Sequence, residues 1–151
     1  MSNDKPVGIA YPITVDYDLT IEEAVRLGGY DQSDANIASE HFATKRHGTA
    51  EIMMMLPILN PIRISADGAL RELKKMALRP AEPRELLAFG AKYHDILHDF
   101  LAIALGSTWR SPNSGLLALA LRKHGSLRRL YLYCTLGGWC GPCRFAAIRE
   151  F

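Results

Sequence analysis

The stretch "LGGWCGPCRFAAIREF", Leu136 to Phe151, decides the fold, because it admits two incompatible readings. In the first, Cys140-Gly141-Pro142-Cys143 is a dithiol–disulfide redox centre and "RFAAIREF" is the helix behind it. The chemistry is sound: a Cys-x-x-Cys at a helix N-terminus has one thiol acidified by the backbone dipole, which makes a thiolate nucleophile. The apolar stretch "RLYLYC", Arg129 to Cys134, even reads as the strand such a centre needs in front of it. In the second reading the terminal segment is itself a strand, and it closes a sheet.

The pentapeptide WCGPC is the one thioredoxins use, but a thioredoxin fold sets its cis-proline loop, further strands and last helix after the motif. Here eight residues follow Cys143, and no upstream βαβ unit supplies those parts in permuted order. The expectation is a closing strand and a non-enzymatic protein. A thiol-redox protein using Cys140 and Cys143 stays open as the alternative. So does zinc: His124, Cys134, Cys140 and Cys143 form H-x9-C-x5-C-x2-C, a Cys3His set of the kind that binds zinc tetrahedrally. Three cysteines, an odd number, argue against a structural disulfide framework. His94 and His98 stand at i, i+4 in "HDILHD", the zincin spacing, but the shorter Asp95 follows the first histidine and no third ligand is evident. No P-loop, Rossmann or G-x-S-x-G fingerprint occurs, so no metal and no cofactor is expected.

The chain's 151 residues fit one domain, 1–151, large enough to bury a core without disulfide or metal. At 48% hydrophobic and 23% charged, it has the composition of a soluble globular protein. The N-terminus shows no basic start followed by an apolar run, and the longest apolar run, "IMMMLPIL", is far short of a membrane helix. The expectation is a cytoplasmic protein with no membrane partner. The net charge of +2 hides an asymmetry, because residues 111–151 carry six Lys/Arg against Glu150 alone. Such an end attracts nucleic acid or another anionic surface, or serves as solvated charge that keeps strand edges apart.

Along the chain, Ile9, Tyr11, Ile13, Val15 and Tyr17 alternate as in a half-buried strand, and Pro12 puts that strand at an edge or gives it a bulge. Thr20 and Glu23 form a capping box for a short helix, with Gly28 as its left-handed terminus. "GTAEIMMMLPIL" reads as a buried strand ended by Pro57, its methionines serving as adaptable core filler. Helices follow from Ser65 to a stop imposed by Pro80, and from Pro83 to Gly90. Tyr93, Ile96, Leu97 and Phe100 then share one helical face. The last third, "LAIAL", "LLALAL", "LYLYC" and "RFAAIRE", is short and β-compatible, which makes the whole an α+β layout.

The segments "ITVDYDLTIEEAVRLGGYDQSDANIASEHF", "LRPAEPRELLAFGAKY", "IALGSTW" and "RFAAIRE" together resemble an uncharacterised bacterial protein family. Its members share R-P-A-x-x-x-E-L-L-A, A-L-G-S-x-W and a closing R-F-x-A-V-R. More distantly, the same segments are similar to the C-type lectin-like fold, as found in the variable proteins of diversity-generating retroelements. That resemblance implies a single α+β domain whose N- and C-terminal strands pair. It also implies a variable binding surface within 107–143 and no enzymatic activity. Retroelement diversification acts on adenines of Asn codons and excludes Lys, Glu, Gln, Met and Trp. From Leu116 to Cys143 only Lys123 and Trp139 depart from that rule. The implied binding residues are Trp109, Arg110, Asn113, Tyr131, Tyr133 and Trp139, aromatic, Arg and Asn side chains of the kind that anchor interfaces. The expected partner is a protein or small-molecule ligand, with nucleic acid admitted by the basic C-terminal end.

Overall fold

The structure, a computed structural model, describes residues 9–59, 64–96, 101–135 and 143–149. Strand β1 (Ala10–Asp16) buries Ile13 and Val15 and leaves Pro12, Thr14 and Asp16 outside, the alternation its sequence anticipates. It forms the edge of a four-stranded sheet ordered β1-β3-β9-β4, with β3 at Thr49–Met55, β4 at Leu78–Pro80 and β9 at Ala147–Arg149. Pro12, which lacks an N–H, suits that edge. Its carbonyl accepts hydrogen bonds from Lys92 Nζ at 3.0 Å and Tyr93 Oη at 2.8 Å. The expected pairing of N- and C-terminal strands is corrected here. β9 joins the sheet but pairs with β3 and β4, while β1 pairs with β3 along all seven residues. The reason is length and burial. β3 matches β1 residue for residue, whereas β9 has three residues and is needed to flank the fully buried Met54 and Met55.

Helix α1 (Ile21–Gly28) starts at the predicted capping box: Thr20 Oγ1 accepts from the Glu23 N–H, and Glu23 accepts from the Thr20 N–H. Its left-handed terminus is Gly29, at φ 63°, rather than Gly28. Helix α2 (Ala66–Lys75) is capped by Ser65 and ends before Pro80 can act, because residues 78–80 are already strand β4. Helix α3 (Pro83–Lys92) begins at Pro83 as predicted but runs through Gly90. Gly90 marks a close approach instead of a stop, since a Cβ there would lie 2.2 Å from the Tyr30 hydroxyl oxygen. The amphipathic helix expected from Tyr93 is not formed over its described part. Tyr93 caps α3 and residues 94–96 make a turn, while Leu97 and Phe100 lie outside the described residues.

The second sheet has five strands in the order β2-β7-β6-β5-β8. These are β2 (Gln32–Ser33), β7 (Leu127–Cys134), β6 (Gly115–His124), β5 (Leu101–Ser111) and β8 (Cys143–Phe145). The runs "LAIAL" and "LLALAL" are continuously apolar because this sheet is covered on both faces. Ala102, Ala104, Leu119, Leu121 and Leu130 face one core with Ile13, Val15, Leu86, Leu87 and Phe89. Ile103, Ala118, Ala120 and Phe145 face a second core with Met55, Ala69, Leu73 and Leu78. The segment expected to close a sheet does so twice: β8 pairs parallel to β5, then the chain crosses at Ala146 into β9 of the other sheet.

The three motifs of the family resemblance meet at that crossing. The Ala146 N–H donates to the Ile103 carbonyl at 2.8 Å, the Ala81 N–H to the Ala146 carbonyl at 2.9 Å, and the Gly106 N–H to the Ala81 carbonyl at 2.7 Å. R-P-A, A-L-G-S and R-F-x-A are therefore linked by backbone hydrogen bonds that stitch one sheet to the other. Gly106 has to be glycine, because a Cβ there would stand 2.6 Å from the Ala81 carbonyl oxygen.

Candidate functional site

Across the five-stranded sheet, the register sorts the candidate side chains onto faces. On β6 and β7, Ala118 opposes Tyr133, Ala120 opposes Tyr131 and Arg122 opposes Arg129. Arg110 of β5 opposes Leu116, which shares the face of Ala118 and Ala120. Arg110, Tyr133, Tyr131, Arg129 and Arg122 thus share the second-core face. They run from the β5–β6 turn toward the β6–β7 turn over six residues of β6, ~20 Å. The Tyr131 and Tyr133 rings lie 5.5 Å apart at 38° and are half-buried, and Arg110 is exposed. Among the described residues neither tyrosine hydroxyl has a hydrogen-bond partner and none of the three guanidiniums forms an ion pair. Arg129 Nε is buried without a partner.

The other cations of this sheet are engaged. Lys123 pairs with Asp95 at 2.9 Å, and Arg144 donates to the Leu56 carbonyl. Arg128, on the first-core face, donates to the carbonyls of Gly90, Gly28 and Gly29 and lies over the Tyr30 ring. No Asp or Glu occurs anywhere from Leu101 to Arg149, so the sheet supplies no carboxylate of its own.

Three of the six expected binding residues, Arg110, Tyr131 and Tyr133, are therefore brought to one face. Trp109 is not with them. It alternates onto the first-core face, where its ring stacks on His41 at 3.7 Å and 22° and ties the loop after β2 to the sheet. Asn113 is exposed in the β5–β6 turn, its N–H donating to Ser111 Oγ. Trp139 lies outside the described residues, as do Cys140 and His98. The expected variable segment is only partly surface, since Leu117 to Leu121 are buried.

The described members of the alternative zinc set are dispersed. His124 opposes Leu127 at one end of the β6–β7 pair and Cys134 opposes Leu117 at the other, seven residues or ~23 Å away, so one ion cannot hold both. Cys143 is on β8 beside Leu101, with β5 and β6 between it and β7. Among the described residues no cluster of three metal-ligating side chains forms. The segment that the redox reading makes a helix is two strands, β8 and β9. His94 is exposed and bonds the Ala91 carbonyl.

Sequence reasoning missed a polar cleft of about 570 Å³ over the first sheet, lined by Tyr17, Arg46, His47, Glu51, Arg79 and Arg149. Its inner charges are already paired. Arg79 makes two bonds to Glu85, at 2.9 and 2.7 Å, and Arg46 binds Glu82 at 2.9 Å. The six-residue spacing in R-P-A-x-x-x-E was the available signal, since it joins a strand to the first turn of α3. No helix among the described residues is long and apolar enough to cross a membrane. Compared with protein-family models, with curated proteins and with solved structures, the chain matches none.

Proposed function

We propose that the protein is a non-enzymatic ligand-binding module whose ligand contacts the outer part of the β5–β6–β7 face through Arg110, Arg122, Arg129, Tyr131 and Tyr133. One observation carries this reading: three guanidiniums without an ion-pair partner among the described residues share a face with two tyrosines, on a sheet whose strands contain no carboxylate. Arginine and tyrosine supply most of the anchoring energy in binding surfaces, and a rigid sheet holds them in fixed register.

The C-type lectin-like fold is the architecture we assign to it. The return of β9 to the N-terminal sheet supports this, as does the mounting of 107–134 on the second sheet, although β9 docks on β3 in place of β1. If this segment is diversified, sibling genes will vary at Arg110, Asn113, Tyr131 and Tyr133 and stay apolar at Leu117 to Leu121.

The test is a panel of glycans, peptides and oligonucleotides presented to the wild type, to Arg110→Gln/Tyr133→Leu and to Cys143→Ser. A ligand lost in the first variant and kept in the second supports the module. One that survives the first variant, or that requires the cysteine, overturns it.

A further inference from the structure

We infer that the ligand of this face is a single-stranded nucleic acid, an inference that rests on the binding reading above. The argument starts from an unfavourable pair. Arg122 and Arg129 stand directly opposite each other on adjacent antiparallel strands, where Cβ atoms lie ~5 Å apart and like charges repel. Folded proteins ordinarily relieve such a pair with a carboxylate, and among the described residues neither guanidinium has one. Arg129 Nε is moreover buried without an acceptor. An external anion would neutralise both arginines.

The shape of the stripe then narrows the class. A compact anion would need its cations at one point, but Arg110 lies ~20 Å along the sheet from the Arg122/Arg129 rung. That spacing calls for an extended polyanion. Between the two charged ends are Tyr133 and Tyr131 on successive same-face positions, opposite the small side chains of Ala118 and Ala120. Cations that track a backbone, with aromatic rings between them, are the elements by which single strands are held without sequence preference: phosphates meet arginine, and bases stack on the rings. A sulfated glycan would use the arginines and leave the rings idle. A duplex would keep its bases inside the stack, away from the tyrosines.

The experiment is fluorescence anisotropy of the full chain with labelled single-stranded oligonucleotides, a duplex of the same length and a heparin oligosaccharide, across a salt series. For single strands the plot of log K against log salt should have a slope of about −2, since three phosphates are contacted at roughly 0.7 each. Arg122→Gln, Arg129→Gln and the exposed Arg110→Gln should each flatten it by about 0.7. Tyr131→Leu and Tyr133→Leu should each weaken binding about 5- to 150-fold while leaving the slope alone. Arg26→Gln/Arg71→Gln, a charge loss twice that of any single variant and placed on exposed residues of α1 and α2, should change little. Each variant's fold is checked by circular dichroism, and Arg110→Gln keeps the test decisive should a strand variant not fold.

The inference falls if single strands bind more weakly than about 10⁻⁴ M at physiological salt. It falls equally if the duplex or heparin binds as tightly, or if binding ignores the tyrosines. A glycan or peptide bound through these same residues would overturn the nucleic acid and leave the module standing. Oligonucleotide binding indifferent to all five residues would overturn both.

Discussion

At the scale of single residues, Tyr17, Arg79 and Glu85 show what the R-P-A-x-x-x-E motif does. Glu85 is fully buried, its two oxygens hold the Arg79 guanidinium, and Tyr17 Oη donates to Oε2. Burial, followed by the hydrogen bond and negative charge of Glu85, raises the pKa of Tyr17 above its ordinary value of 10.0. Below pH 10 the phenol is protonated in both the folded and unfolded states and contributes no pH dependence. Above pH 10 the unfolded chain ionises first and binds fewer protons, so stability falls as pH rises through the folded-state pKa. Tyr17→Phe should therefore have a lower Tm at neutral pH, by the loss of about 1.5–3 kcal/mol for a hydrogen bond to a charged group. It should also show a shallower alkaline fall than the wild type. Parallel Tm–pH curves for the two proteins would contradict this assignment. Gly106 gives a second residue-level prediction. Its neighbour is backbone, the Ala81 carbonyl, which cannot rotate aside, so Gly106→Ala should cost about 1–3 kcal/mol by urea unfolding.

At the scale of elements, β6 and β7 trade stability for charge. Their pairing is continuous from Leu117↔Cys134 to His124↔Leu127, and it places two like-charged side chains, Arg122 and Arg129, on one rung. Replacing that repulsion with attraction, as in Arg122→Glu, should stabilise the fold by roughly 0.2–1 kcal/mol and shift the urea midpoint upward. The same substitution should abolish ligand binding, which is the signature of a side chain retained for function and not for the fold. An unchanged or lowered midpoint would mean that the pair is not under strain. The helices carry no such tension. α1 and α2 are capped by Thr20 and Ser65, with acidic residues in their first turns and basic residues in their last.

At the scale of the whole molecule, the five-stranded sheet is shared by two cores, one on each face, and the backbone bonds through Ala146, Ala81 and Gly106 join it to the four-stranded sheet. Neither core can lose its packing without exposing a wall of the other. Tryptophan fluorescence of a Trp139→Phe variant, reporting Trp109 against the first core, and far-UV circular dichroism should therefore follow one coincident urea transition; separated midpoints would show that the two cores melt independently. The sequence alone determined the α+β composition, the alternation of β1 with Pro12 at an edge or a bulge, and the starts of the three described helices through Thr20, Ser65 and Pro83. It also favoured an extended segment over a helix after Cys143, as residues 144–149 are. These are local matters of alternation, capping and proline geometry, and a few neighbouring residues suffice to decide them. It placed Arg110, Tyr131 and Tyr133 among the binding candidates from the resemblance and residue type, but it also counted Trp109 among them. Only the tertiary structure decided that β3 stands between β1 and β9, that Gly28 and Gly90 make room for Tyr30, and that the irregularity between Ala104 and Thr108 turns Trp109 to the first-core face and Arg110 to the second. It likewise separated His124 from Cys134 and opposed Arg122 to Arg129. Strand order, register and bulges depend on which distant segments compete for the same partner, and that competition is settled by burial over the whole chain, which no local pattern encodes.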